Sequence, residues 1–94
     1  MPTQQARMTT YFGDETPSEV YPCEVRIDGD EIIVSYDGDA GPVVYSGKMK
    51  GEGHFELKSA RPEGRACLHR FWNGRRLDGW WKEDGYEGMW RITF

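Results

Sequence analysis

The chain has 94 residues, of which 30% are charged, and its net charge is −4. That length makes one domain with a single core, burying roughly 60–65% of the surface its unfolded chain exposes and leaving little volume for a large cavity. An acidic balance without a basic run excludes non-specific nucleic-acid binding, and no stretch approaches the ~18 apolar residues of a membrane span.

Met1-Pro-Thr-Gln-Gln-Ala-Arg lacks the apolar run of a secretory signal, so the expected compartment is cytoplasmic. These residues, 1–7, are polar and expected to be flexible, leaving 8–94 as the folded domain. Nowhere does a 3.6-residue apolar period persist over about eleven residues. Short alternating runs broken by Gly, Asp and Pro predict strands throughout. Twelve glycines beside four Trp, five Tyr and four Phe fit a β-protein whose rings need room.

The first strand is expected over Met8 to Phe12, followed by a loop at 13–18. Asp28-Gly29 is a two-residue turn signal between strands 19–27 and 30–37. That turn pairs Val25 with Ile32, Cys23 with Val34 and Tyr21 with Tyr36 on one face, and Arg26 with Glu31 on the other. Loop 37–41 leads into a strand over Pro42–Met49. A reversal at Lys50-Gly-Glu-Gly53 then pairs Gly47 with Phe55 and Tyr45 with Leu57, and Arg61-Pro-Glu-Gly64 connects onward. Asn73-Gly74 and Asp84-Gly85 are further type I′ signals, because both central positions of that turn need positive φ. They set Trp81 opposite Gly88, Gly79 opposite Trp90 and Leu68, and Leu77 opposite Ile92. The other face pairs Lys82 with Glu87 and Asp78 with Arg91. Eight strands in an antiparallel up-and-down meander predict a closed or nearly closed small β-barrel, with a two-sheet sandwich as the alternative.

Tyr45-Ser-Gly-Lys-Met-Lys-Gly-Glu-Gly-His-Phe and Leu77-Asp-Gly-Trp-Trp-Lys-Glu-Asp-Gly-Tyr-Glu-Gly-Met-Trp resemble the MORN repeat, a hairpin unit with Tyr-x-Gly and Gly-x-Gly spacing. The intervening segment breaks the ~20–25-residue period of stacked repeats. The likeness therefore implies shared hairpin chemistry and carries no function over. The whole outline is similar to calycin-type barrels (lipocalin, fatty-acid-binding and avidin-like), though far shorter and without their diagnostic motifs. It is also similar to small all-β proteins of bacteria.

These registers turn inward Tyr21, Cys23, Val25, Ile32, Val34, Tyr36, Val43, Tyr45, Met49, Phe55, Leu57, Ala66, Leu68, Trp72, Leu77, Trp81, Trp90, Ile92 and Phe94. Arg70 falls among them, opposite Leu77, where an unpaired guanidinium would be very costly. Beside Trp72, with Tyr21, Tyr36 and Tyr45 elsewhere on the interior, it is a candidate clamp for a carboxylate-bearing apolar ligand. The competing reading has Arg70 snorkel to the rim or pair with a core-edge carboxylate.

Outside, His69, Asp78 and Arg91 form a cross-strand row. No nucleophile lies in register with the His–Asp pair, and a solvated sheet face excludes no water, so no enzyme and no cofactor are expected. A second row of Cys67, Trp80 and Met89, with Phe71 further along, is a candidate interface for a protein partner or a homodimer. Its competing reading is packing beneath the N-terminal segment or a loop. Cys23 and Cys67 fall on opposite faces, which disfavours a disulfide. The spacing of Cys23, His54, Cys67 and His69 contains no short metal-ligand pair, so no metal is implied. Asp28, Asp30, Glu31, Asp37 and Asp39 do not complete a calcium loop. The first expectation is thus a non-catalytic barrel taking a small apolar or aromatic ligand, anionic in the Arg70 reading, at one end. The second is an interaction module using the Trp80/Met89 face.

Overall fold

A computed structural model describes residues 3–38 and 41–94. Period-two alternation and tight connections give eight strands: β1 (Gln4–Phe12), β2 (Glu19–Asp28), β3 (Glu31–Gly38), β4 (Gly41–Gly51), β5 (His54–Ala60), β6 (Glu63–His69), β7 (Arg76–Glu83) and β8 (Tyr86–Thr93). Each pairs antiparallel with the next, and β8 returns to β1, so the meander is a closed barrel. Closure gives every strand a neighbour on both sides. The sandwich alternative is therefore discarded. Among the described residues, no helix is long and apolar enough to cross a membrane.

Every second residue turns inward, and the interior is filled. Met8, Ile32, Val34, Tyr45, Phe55, Leu57, Leu68, Leu77 and Ile92 are all essentially inaccessible. On the inner wall, a Cβ at Gly79 would run into the Cys67 carbonyl, and one at Gly88 into the Tyr11 carbonyl. The neighbouring backbone is the first obstruction at both. Room for a ring is a second reason only at Gly88, where Trp81 lies 3.0 Å from the position a Cβ would take. Glycine here permits the tight coiling of a small barrel.

The last hairpin has the expected register, with Asp84 and Gly85 both at positive φ (50° and 83°). Elsewhere the faces hold while the pairings move. The β2–β3 reversal is Gly29-Asp30, so Val25 faces Val34 and Ile27 faces Ile32. This two-residue shift replaces the Val25–Ile32, Cys23–Val34, Tyr21–Tyr36 and Arg26–Glu31 pairs. It brings Ile27, absent from the expected core, opposite another isoleucine and buries it. Between β4 and β5 the pairs are Gly47 with Leu57 and Met49 with Phe55, and a bulge between Met49 and Gly51 moves the turn to Glu52-Gly53.

Strand β1 begins at Gln4 rather than Met8. Its backbone is held by β2 on one side and, from Arg7 onward, by β8 on the other, so polar side chains do not fray it. The part of the flexible-terminus expectation that concerns Met1 and Pro2 lies outside the described residues. The loop expected at 37–41 shortens, because Asp37 pairs with Pro42 and Gly38 with Gly41. Asp39 also lies outside the described residues.

The largest departure follows Asn73-Gly74. The Leu68–Gly79 register is right, but β6 stops at His69 and β7 starts at Arg76. Only Asn73 has positive φ (61°), and the Gly74 N–H donates to the Phe71 carbonyl at 2.8 Å. The turn is therefore centred on Trp72-Asn73, with Asn at the third position that tolerates positive φ. Trp72 and Phe71 consequently stand in solvent, 87% and 84% exposed. The inward placement of Trp72 is overturned.

Candidate functional site

The barrel has two ends. Connections β1–β2, β5–β6 and β7–β8 surround one, called here the mouth; β2–β3, β4–β5 and β6–β7 surround the base. At the mouth, the inner-face series Leu77, Gly79, Trp81 ends on Glu83. Its Oε1 accepts hydrogen bonds from the Tyr45 hydroxyl at 2.7 Å and the Tyr36 hydroxyl at 3.2 Å. Tyr45 is completely buried, and its hydroxyl lies where a side chain at position 64 would otherwise sit, a space left by Gly64. Burial, followed by the hydrogen bond and charge of Glu83, drives ionisation of Tyr45 well above the usual phenol range. For Tyr36 the causes are burial and then the Glu83 charge, in the same direction. Both rings stay protonated donors.

The remaining rings buttress this network. Trp90 meets Tyr45 edge-on at 5.0 Å and Tyr36 at 6.2 Å, and it stacks on Trp81 at 6.1 Å. Phe12 meets the edge of Trp81 at 5.8 Å. Tyr21 packs on Tyr36 at 5.7 Å and shares a 2.7 Å hydrogen bond with buried Thr10. Above them lies an open depression of about 830 Å³, walled by Tyr21, Tyr36, Pro42, Val43 and Pro62. Among the described residues, its charged lining is Glu19, Asp37, Glu83 and Asp84 against Arg61 alone. The Trp81 indole N–H and the Ser59 hydroxyl on the inner wall are buried with no protein partner among the described residues.

Arg70 does not belong to this group. Its register partner position, Leu77, precedes Glu83 by six residues, about 20 Å along the strand. Arg70 lies at the base, half-buried. Its Nε donates to the Gly74 carbonyl at 2.6 Å, and its guanidinium lies over the Phe94 ring at 5.2 Å. The clamp of Arg70, Trp72 and three tyrosines is thus divided: Tyr21, Tyr36 and Tyr45 converge at the mouth, Arg70 braces a loop, and Trp72 is in solvent. Glu83, which the sequence reading passed over, takes the central place. Simple alternation from Leu77 would have found it.

On the outer wall, Asp78 is turned to Arg91 (3.0 Å) and Arg76 (2.8 Å), so it is not the orienting carboxylate of a His69 dyad. The hydrogen bond to Asp78 also raises the Arg91 pKa. Trp80 and Met89 are part-exposed as expected, and Tyr11, unforeseen, extends their row onto β1. Phe71 is not in that row, and Cys67 is buried. Two residues from Cys67, His69 pairs with His54 across β5–β6. The His54 Nδ1 and His69 Nε2 atoms are 2.8 Å apart, and the Cys67 sulfur lies 3.7 Å from His54 Nε2. Both cysteines are free. In comparisons with known proteins, the chain matches no family model, no curated protein and no solved structure.

Proposed function

We propose that the protein is a non-catalytic binding barrel whose mouth takes a small aromatic or apolar molecule carrying a positive charge. The observation that carries this reading is the Glu83 carboxylate, held by one fully buried and one half-buried phenol at an aromatic-walled depression where, among the described residues, three further carboxylates face one guanidinium. An aromatic wall with a few placed polar groups is the usual composition of a small-molecule site. Exposed faces of tyrosine rings also attract a cation through their quadrupole. The surplus of negative charge favours a cationic ligand over the anionic one that Arg70 suggested.

The test is a thermal-shift panel of aromatic amines and matched carboxylates, followed by tryptophan fluorescence titration of the best binder. Amines should raise the melting temperature and carboxylates should not, a saturating ligand at 100 times its Kd adding about 2.7 kcal/mol. Glu83→Gln should remain folded and lose the amine response. Equal response to amines and carboxylates, or an unchanged response in Glu83→Gln, defeats the reading.

A further inference from the structure

We propose that His54, Cys67 and His69 form a binding site for one divalent transition-metal ion of the zinc class on the outer wall of the barrel. The site is independent of the mouth. His54 opens β5 and His69 closes β6, both at the base, and their side chains face away from the core.

The register builds it. In an antiparallel pair, residues directly opposite share a face, and so do residues two apart on one strand. His54 is opposite His69, and Glu56 is opposite Cys67. These four side chains therefore form one outward square across two strands. One donor atom from each of His54, Cys67 and His69 lies within 4.8 Å of the others.

The spacing suits tetrahedral coordination. With Zn–N near 2.0–2.1 Å and Zn–S near 2.3 Å, donors at tetrahedral angles stand about 3.3 Å (N···N) and about 3.6 Å (N···S) apart. The thiol sulfur is 3.9 Å from His54 Nδ1, and the two imidazole nitrogens are 2.8 Å apart. The rings need to part by about 0.5 Å, and the His54 ring to turn its Nδ1 toward the sulfur, which now lies 3.7 Å from its Nε2, to admit the ion. That movement replaces the proton they share with the metal, and neither ring is locked in the core. When Nδ1 of His54 ligates, its Nε2–H faces the Glu56 carboxylate, 3.6 Å away. A carboxylate taking the second N–H of a ligating imidazole fixes its tautomer and raises its basicity. Two imidazoles and one thiolate select zinc-like ions over magnesium or calcium, which take oxygen ligands. Three protein donors leave a fourth position for water or a small anion. A groove of about 560 Å³ edged by Lys48, Lys50, Lys58 and Arg65 runs beside His54 and Cys67.

The experiment titrates reduced, chelator-treated protein with Co²⁺ and then Zn²⁺. One equivalent of Co²⁺ should produce a thiolate-to-metal charge-transfer band with the intense visible bands of a four-coordinate ion, and Zn²⁺ should bleach both. Cys67→Ser should lose the charge-transfer band, while Cys23→Ala should keep it. His69→Gln should weaken binding by more than about tenfold, and Glu56→Gln, which removes only the orienting carboxylate, by about tenfold. Circular dichroism checks that each variant is folded. Should His69→Gln be unfolded, histidine NMR of the wild type decides: one equivalent of Zn²⁺ must shift both His54 and His69. The absence of a thiolate band with excess Co²⁺, an undiminished band in Cys67→Ser, or unshifted histidines overturns the site.

Discussion

The mouth and the outer-wall cluster arise from the same alternation, yet they are opposite kinds of site. At the mouth, Tyr45 is fully buried and Glu83 half-buried against an aromatic shell, so both bear on folding as well as binding. On the outer wall, His54 and His69 contact each other, and His54 also meets Cys67 and Glu56, but neither ring belongs to the packed core. The contrast teaches that a site inside a small barrel is paid for in core packing, whereas one on its wall is nearly free to change. Substitutions at the two places should therefore separate stability from binding.

The largest expected effect is Tyr45→Ala. Removing a fully buried ring that packs on Trp90 and donates to Glu83 should cost about 3–5 kcal/mol, measured by urea unfolding. Trp72→Ala, by contrast, should change stability by less than about 0.5 kcal/mol despite the size of the side chain, because it is exposed. If the two costs are similar, the loop centred on Trp72-Asn73 does not hold that ring in solvent, and the mouth is not the stable part of the molecule.

The next effect is read from pH. Burial, and then the charge of Glu24, push the Cys23 thiol up to about 11 from an ordinary value near 9. Above pH ~9 the unfolded chain releases a proton that the native state keeps, so the unfolded state binds fewer protons and stability falls with rising pH. The full contribution is present below pH ~9 and is lost through pH ~11, on the order of 2 kcal/mol. Cys67 is raised in the same sense by its burial and by Glu56, and adds to this slope. Between about pH 8 and pH 9, where tyrosines in the unfolded chain are still mostly protonated, Cys23→Ala should flatten the decline. An unchanged slope would place Cys23 in contact with water.

How much of this was legible follows from what alternation fixes and what it does not. Which face a residue occupies depends on parity, and parity survived even where pairings slipped by two, as at Val25 and Gly47. That is why Tyr21, Tyr36 and Tyr45 were found on the interior. Glu83 was legible by the same rule and was overlooked because a carboxylate in a turn-flanking position looks solvated. Which residues face each other depends on turn length, and that was not legible at 61–64. A four-residue turn there sets His69 against Glu56. The two-residue turn Arg61-Pro62 sets it against His54. Short-range spacing of Cys and His in the chain gave no warning of the cluster, because its proximity is created only across strands. Trp72 failed for a different reason: Asn-Gly permits more than one turn, and the unpaired 70–75 backbone found carbonyl and amide partners in Gly53 and Phe94.

A smaller effect tests the order of importance within the mouth. Tyr45→Phe removes the shorter of the two bonds to Glu83 and should cost about 1.5–3 kcal/mol, as for a hydrogen bond to a charged acceptor. Tyr36→Phe removes the 3.2 Å bond from a partly exposed ring and should cost less. Equal costs in chemical denaturation would mean that Glu83 is shared evenly and that neither phenol is its principal support.

The smallest effect sharpens the contrast from the other side. Without metal, His69→Gln should leave stability within about 0.5 kcal/mol of the parent, since it removes an exposed ring hydrogen-bonded to the half-buried His54 ring on the outer wall. The same substitution should abolish any stabilisation by Zn²⁺, because only the native state assembles donors from two strands. Paired melts with and without the ion separate the two contributions. A large loss of stability in the metal-free melt would show that the His54–His69 contact supports the β5–β6 pairing itself, and the outer wall would then be subject to the same packing constraint as the mouth.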